Sequence, residues 1–146
     1  MANIERVIQQ LKIDEGFSTN AYWDHDHYTY GYGTKAPDGS ATITEPEAII
    51  LLRERTIQSG KEFERLFGTV EMSEVRQEAI INMLFNLGLK KFSEFKKLSL
   101  AIYDEDWGHA AYEAFDSLWY QQLRKRGLSS IERSERIVWE LLTGER

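Results

Sequence analysis

The sequence predicts an α+β fold in which a small β-hairpin or sheet lobe is joined by a long helix to an all-helical lobe. Apolar residues near the N-terminus recur at helical spacing, and residues 17–43 change to alternating aromatic and small residues. Helical patterns fill the remainder of the chain. Such an arrangement places a natural cleft for an active site between the lobes. We expect one domain over 1–146, with a β-containing lobe at about 14–60 and a helical lobe at about 61–146 that also takes in helix 3–13.

The N-terminal third is predicted to contain one helix and one small antiparallel sheet. Asn3 is a plausible N-cap for helix 3–13, and Gly16 permits the chain to leave it. Residues 17–43 are rich in aromatics, Thr, Gly and Asp, and the Pro-Asp-Gly-Ser stretch at 37–40 marks a turn. The apolar face of the helix is Ile4, Val7, Ile8 and Leu11.

The other two thirds are predicted to be helical. Thr44 and Glu47 form a capping box that opens a long helix to about Phe67, with a kink or break possible at Gly60. Ser73 caps an apolar helix that Gly88 ends. Further helices are expected at about 93–103, 106–118 and 130–143.

Two carboxylates close in sequence, on different elements, suggest acid–base chemistry. Glu15 ends the first helix, and Asp24 follows nine residues later in the predicted hairpin turn. Glycosidic-bond hydrolysis needs one acid that holds a proton for the leaving oxygen and one ionised carboxylate for water or the developing charge. Taken alone, each residue is more often a solvated helix-end or turn residue. Their pairing makes residues 15–33 a candidate active site.

Thr29 stands out within Tyr28-Thr29-Tyr30-Gly31-Tyr32-Gly33. If the strand runs through Gly33, its period of two places the three tyrosines on one face and Thr29, with both glycines, on the other. A single hydroxyl on an otherwise bare face can position a water or a sugar. The alternative is a packing surface that the glycines permit.

Arg133 and Arg136 share a helix face and also allow two interpretations. They are either an exposed pair, or one guanidinium orients Glu15.

Composition excludes several classes of function. There is no cysteine, so disulfides and thiolate chemistry are excluded. No apolar run is long enough for a membrane span, no signal peptide is evident, and a net charge of −6 argues against nucleic-acid binding. His25 and His27 in the Asp-His-Asp-His stretch are two possible zinc ligands, but a site needs more, so we expect no metal and no cofactor.

Several blocks of the chain resemble the T-even-type phage lysozymes of glycoside hydrolase family 24. The family pattern is a Glu-Gly helix end, an (Ile/Ala)-Tyr-x-Asp element and a Thr-x-Gly-x-Gly strand. The spacing from Asp24 to Thr29 is one residue shorter than in the best-known members, which requires a tighter turn. The matching blocks are LKIDEGFSTNAYWD at 11–24, YTYGYG at 28–33, TEPEA at 44–48, RQEAIINMLFNLG at 76–88, SLWYQQ at 117–122 and RSERIVWELLTG at 133–144.

The resemblance implies a single lysozyme-like domain with muramidase activity. Such an enzyme cleaves the β-1,4 bond between N-acetylmuramic acid and N-acetylglucosamine in peptidoglycan, in this family with inversion. Glu15 would be the general acid, and Asp24 and Thr29 would handle the attacking water. The substrate-binding positions that it implies, including an arginine beside the catalytic Glu, are Tyr22, Lys35, Phe85, Leu98, Glu113 and Arg133.

The resemblance also implies a biological setting. The expected partner is the peptidoglycan glycan strand, met by a monomer without membrane insertion or nucleic acid. An endolysin would accumulate in the host cytoplasm until holin-dependent release. Basic residues Arg124, Lys125 and Arg126 lie in a loop, 121–132, that looks longer than in the family and can meet anionic groups of the wall. Three alternatives stay open: a lytic transglycosylase, a non-catalytic cell-wall-binding module and a chitinase-like preference.

Overall fold

A computed structural model of the chain describes residues 1–117, 120 and 128–146, with the backbone alone for 128–130. The chain divides into two compact units, one of Ile4–Gln58 and one of Met1–Asn3 with Ser59–Arg146. The described residues form helices and one three-stranded antiparallel sheet, which confirms the predicted α+β class. The elements are α1 (Ile4–Glu15), β1 (Ser18–Asp24), β2 (His27–Gly31), β3 (Thr34–Lys35), α2 (Glu45–Phe67), α3 (Glu74–Leu87), α4 (Leu89–Glu94), α5 (Lys96–Tyr103), α6 (Trp107–Phe115) and α7 (Leu128–Thr143).

Helix α1 ends at Glu15, as predicted from the Glu15-Gly16 pair, two residues beyond the range of 3–13 given by its periodicity. Gly16 follows it at a φ of 66°, and the Gly16 amide donates to the carbonyl of Lys12 at 3.0 Å. This left-handed cap ends the helix at the residue that the sequence marks as a catalytic candidate. The residues that α1 buries are the predicted apolar face, of which the most buried are Val7, Ile8 and Leu11.

The sheet has the order β1-β2-β3, and all of its pairs are antiparallel. In the first pair, Tyr22 lies opposite Thr29 and Asp24 opposite His27. In the second, Thr29 lies opposite Lys35. An irregularity between Ser18 and Tyr22 interrupts the regular register nearer the start of β1. The tip of the hairpin, which carries Asp24, is therefore regularly paired.

Helix α2 begins with the predicted capping box. The Thr44 hydroxyl donates to Glu47 Oε1 at 2.7 Å, and the Glu47 amide donates to Thr44 Oγ1 at 3.3 Å. The helix then continues through Gly60 without a break to Phe67. Buried residues on both sides of Gly60, Ser59 and Phe63 among them, keep one packing face continuous across the glycine.

The second unit is built on α3, whose residues are mostly buried. Ser73 caps it as predicted, since its Oγ accepts from the Arg76 amide at 3.3 Å, and Gly88 ends it at a φ of 80°. Arg76 also holds the C-terminal end of α7, donating to the carbonyls of Leu141 at 2.9 Å and Leu142 at 3.0 Å. The cap and this long-range clamp together fix α3 against α7.

The single helix predicted at 93–103 is wrong. Phe95 separates α4 from α5 at a ψ of 70°, and its amide bonds to the carbonyl of Phe92, a tighter turn than an α-helix makes. The helix predicted at 106–118 is shorter, because its regular part ends at Phe115. The helix predicted at 130–143 begins earlier, at Leu128.

Within the described part of the chain, no helix combines the length and apolarity needed to span a bilayer.

Candidate active site

Three of the predicted site residues form one row across the sheet. Tyr22 on β1 pairs with Thr29 on β2, and Thr29 pairs with Lys35 on β3. Directly opposed residues of antiparallel strands place their side chains on the same face, with Cβ atoms about 5 Å apart. The row therefore brings a phenol, a hydroxyl and an ammonium group together on one side of the sheet.

Asp24 lies on the same face as this row, at the end of β1. It is two residues from Tyr22 and pairs with His27, which is two residues from Thr29. The turn beyond it has only two residues, as the short spacing requires. His25 takes a left-handed φ of 61°, and the Asp26 amide donates to the Asp24 carbonyl at 2.8 Å. The prediction that Asp24 lies in the turn is therefore wrong, because Asp24 is the last residue of β1 and comes directly before the turn.

Two histidines flank Asp24. The closest nitrogen of His25, Nε2, is 4.0 Å from Asp24 Oδ1, and His27 Nδ1 lies 2.6 Å from Asp26 Oδ1. His27 and Asp26 are within hydrogen-bond distance, whereas His25 and Asp24 are not. No group of three side chains suited to holding a metal ion converges among the residues that the structure describes.

Glu15 reaches the site from the end of α1. Its carboxylate lies against Gly33, in the turn between β2 and β3: a Cβ placed on Gly33 would be 2.6 Å from Glu15 Oε2 and 2.9 Å from Cδ. Only glycine fits at this point, because the φ of Gly33 is 74° and the space for a side chain is filled by the carboxylate. The second glycine of the Thr-x-Gly-x-Gly pattern is thus explained by its contact with Glu15.

The predicted bare glycine face is wrong, because β2 ends at Gly31 and the alternation stops there. Gly31 has a φ of 61°, and a Cβ on it would lie 3.0 Å from the Cβ of Ala48 on α2. Tyr32 consequently does not follow Tyr28 and Tyr30. It is buried, its ring centroid is 5.3 Å from that of Phe17, and its hydroxyl donates to Glu45 Oε1 at 3.0 Å. The packing alternative applies to Gly31.

The Thr29 hydroxyl is buried and has unused hydrogen-bonding capacity. Thr29 is only 2% exposed, and its Oγ1 has no hydrogen-bond partner among the described residues. A buried hydroxyl without a partner costs free energy, about 1–3 kcal/mol, and such groups are rare in folded proteins. A water or a substrate group that bonded to Oγ1 would satisfy it.

The pKa of Tyr22 reflects the negative charges near the sheet face that carries Tyr22, Thr29 and Asp24. Its pKa is raised above the ordinary value of 10.0, first because the ring is partly buried and then because of the negative charges of Asp24 and Glu15. Both candidate carboxylates therefore act on one phenol. The phenol stays protonated at neutral pH, and the side chain is still 43% exposed, so it can meet a ligand.

The other predicted substrate contacts lie in the second unit. Leu98 and Glu113 line one pocket of about 420 Å³, which also contains Lys96, Lys97 and Asp116. Leu98 is buried, so it contributes to the wall rather than to an open surface, and Phe85 is buried within α3. Glu113 Oε1 lies 3.0 Å from His109 Nε2. The contact of these residues with a glycan stays a prediction.

Arg133 is buried rather than part of an exposed pair. It is 4% exposed, and its Nε donates to Asn82 Oδ1 at 3.0 Å, which gives the polar Asn82 of α3 a partner. Arg136 instead pairs along α7 with Glu140 at 3.5 Å. The predicted role of Arg133 beside Glu15 stays a prediction. The basic residues Arg124, Lys125 and Arg126 lie outside the described residues.

Arg55 on α2 is a residue of the site that the sequence did not reveal. Its Nη1 donates to the carbonyl of Gly33 at 2.8 Å, so it reaches the glycine on which the Glu15 carboxylate rests. The sequence pattern of α2 does not distinguish Arg55 from the nearby Arg53. In the structure, Arg53 forms an exposed ion pair with Glu5. Only the folded turn brings Arg55 to Gly33.

Similarity to known proteins identifies the family of the chain. The family model described as phage lysozyme matches residues 12–135. The chain is 28% identical to the pre-baseplate central spike protein Gp5 of Enterobacteria phage T4, covering 94% of this chain but 28% of that protein. It is 24% identical to probable T4-type lysozyme 1 of Dictyostelium discoideum (97% of this chain, 96% of that protein). It is 32% identical to probable T4-type lysozyme 2 of the same organism (84% and 89%). The chain belongs to the phage lysozyme family, which is a family of glycoside hydrolases that degrade peptidoglycan.

Proposed function

We propose that this chain is an inverting muramidase, with Glu15 as general acid and with Asp24 and Thr29 handling the attacking water. The observation that carries the proposal is the buried Thr29 hydroxyl without a described partner, in one row with Tyr22 and on one face with Asp24. That hydroxyl offers a fixed hydrogen bond to a water beside the carboxylate that would activate it. The charges of Asp24 and Glu15 both contribute to the raised pKa of Tyr22, which supports a position for both carboxyl groups near this row.

The chemistry divides between the two carboxyl groups. Glu15 donates its proton to the glycosidic oxygen as the bond to the anomeric carbon breaks. Asp24 accepts a proton from the water that attacks the opposite side of the sugar ring, and Thr29 orients that water. An inverting reaction leaves the product with an α-configured reducing end, because the attack comes from the face opposite to the leaving group.

Substrate contacts are proposed on both units. On the sheet, the Tyr22 ring and the Lys35 ammonium border the water position. In the second unit, Phe85, Leu98, Glu113 and Arg133 are proposed to contact the glycan or to support its site. Lys96 and Lys97 beside Glu113 make that pocket suited to a ligand that carries both carboxylate and amine groups.

The proposed setting is that of an endolysin. The match of residues 12–135 to the phage lysozyme family model supports this setting. We propose a monomer that acts on peptidoglycan without nucleic acid or membrane insertion. Accumulation in the host cytoplasm and release by a holin complete the proposal.

The test is digestion of purified peptidoglycan with mass analysis of the released muropeptides. Hydrated reducing ends support the muramidase, 1,6-anhydro ends would instead identify a lytic transglycosylase, and no release would identify a binding module. Glu15→Gln should abolish release, whereas Glu5→Gln, an exposed change on the same helix, should not. Proton NMR of early products should show the α-anomer first, and an initial β-anomer would refute inversion.

The second carboxylate has its own matched pair of variants. Asp24→Asn should lower kcat by at least about a hundredfold, in keeping with the loss of a positioned base. Asp26→Asn removes a carboxylate two residues away, at an exposed place in the same turn, and should leave most of the activity. Near-normal turnover by Asp24→Asn would remove Asp24 from the mechanism.

A further inference from the structure

Arg55 and Glu15 are connected through one glycine. Arg55 lies on α2 and donates from Nη1 to the Gly33 carbonyl at 2.8 Å, a partly buried bond between residues 22 apart in sequence. Gly33 sits between β2 and β3, in a backbone conformation with a φ of 74°. The bond to Arg55 fixes the orientation of a peptide group in a turn of only two residues, Tyr32 and Gly33.

The Glu15 carboxylate lies directly over the same glycine. A Cβ on Gly33 would be 2.6 Å from Glu15 Oε2, 2.9 Å from Cδ and 3.3 Å from Cγ. The end of the side chain therefore rests on the Gly33 backbone, which forms one wall of its position. Any shift of that backbone changes where Oε2 can lie.

We propose that Arg55 is a positioning residue for Glu15, acting through the Gly33 peptide group. The inference rests on the proposed role of Glu15 as general acid. A general acid works only when its proton points at the leaving oxygen, and a misplacement of about 1 Å can lower the rate a hundredfold. Arg55 fixes the Gly33 peptide group, against which the Glu15 carboxyl group lies. Its planar guanidinium restricts the geometry of this hydrogen bond.

The test compares Arg55 with Arg53, which lies two residues earlier on the same helix. Arg53 pairs with Glu5 at the surface, so Arg53→Ala removes the same kind of side chain without touching Gly33. Arg55→Ala should lower kcat by about 10–100-fold with KM changed less than about threefold, because the substrate contacts remain. Arg55→Lys should recover part of kcat, and Arg53→Ala should keep kcat within about twofold of the wild type.

A second readout does not depend on activity. The side-chain carboxyl ¹³C signal of Glu15, assigned by its loss in Glu15→Gln, should shift in Arg55→Ala and keep its position in Arg53→Ala. Both measurements are made well below the unfolding temperature of the least stable variant, so that each sample is folded.

The outcomes separate this inference from the proposed function. Wild-type kcat in Arg55→Ala, or an unmoved Glu15 signal in that variant, would overturn the role of Arg55. A fall in kcat that merely follows the unfolded fraction would also overturn it. If instead Glu15→Gln were as active as the wild type, the proposed function would fail, while the ¹³C signal would still decide whether Arg55 sets the position of Glu15.

Discussion

The Glu15 carboxylate occupies the space that a side chain at Gly33 would need, since a Cβ there would lie 2.6 Å from Oε2. The two residues belong to different elements, the end of α1 and the turn between β2 and β3. The helix end alone therefore does not set the place of the candidate acid. The turn restricts it as well.

Gly33→Ala should consequently reduce both stability and hydrolysis. The left-handed φ of Gly33 adds about 1–2 kcal/mol of strain for alanine, and the new methyl group displaces Glu15. Gly88→Ala is the matched control, because Gly88 has a φ of 80° with nothing within 4 Å of the added Cβ. We expect similar losses in the free energy of unfolding from both variants and a loss of kcat of tenfold or more from Gly33→Ala alone. Equal kcat values would show that Glu15 tolerates the displacement.

Thr29→Val should separate stability from activity. The change removes a buried hydroxyl that has no described partner and keeps a side chain of similar shape, so the free energy of unfolding should rise by about 1 kcal/mol. Hydrolysis should fall at least about tenfold, because the water loses a hydrogen bond that positions it. Thr29→Ser keeps the hydroxyl and should keep most of the activity. Chemical denaturation and muropeptide release measure the two effects, and a fully active Thr29→Val would exclude Thr29 from the reaction.

His25→Gly should stabilise the hairpin. His25 has a φ of 61°, which glycine adopts without the strain that a side chain brings, and the expected gain is about 0.5–1 kcal/mol after the greater freedom of glycine in the unfolded chain is included. Asp26→Gly, in the same turn but outside the left-handed region, should destabilise instead. Thermal unfolding compares the two. A loss of stability in His25→Gly would mean that contacts of the His25 side chain stabilise the fold by more than the left-handed backbone of His25 costs.

Tyr32 should make the protein less stable in alkaline solution. Burial raises its pKa above the ordinary 10.0, and the hydrogen bond to Glu45 and the charge of that residue raise it further. The unfolded phenol therefore loses its proton first, and the stability that Tyr32 contributes is full below pH 10 and lost as the pH rises through the folded value. Tyr32→Phe should flatten this part of the stability–pH curve. An unchanged slope above pH 10 would assign the alkaline loss to other groups.

Local signals in the sequence predicted the elements well where a hydrogen bond between near neighbours decides the structure. The capping box of Thr44 and Glu47 and the cap at Ser73 are examples, because side chain and backbone meet within three residues. The alternation after Tyr28 failed for the opposite reason. Gly31 and Gly33, both with positive φ, reverse the chain from β2 to β3. Side chains alternate between two faces only within a strand, so the alternation does not continue through this turn.

Contacts between distant parts of the chain were beyond prediction from spacing. Arg133 meets Asn82 across 51 residues, and Arg55 meets Gly33 across 22. The sequence marked Arg133 only as a candidate partner of Glu15, and it gave no signal at all for Arg55. The break at Phe95 carries no glycine or proline signal either, so only the fold reveals it. The sequence therefore indicated the candidate carboxylates and hydroxyl but not the groups that hold them in place.

The two-residue turn at His25 and Asp26 also bears on how quickly the site can form. The entropy lost in closing a chain segment grows with its length, and a loop of only two residues closes this hairpin. Hairpins form within about 1–10 μs, much faster than contacts between remote segments. Asp24 and Thr29 should therefore reach their mutual register early in folding, before the long-range bond from Arg55 completes the surroundings of Glu15. Assembly of the site would then begin at the hairpin and end at the acid.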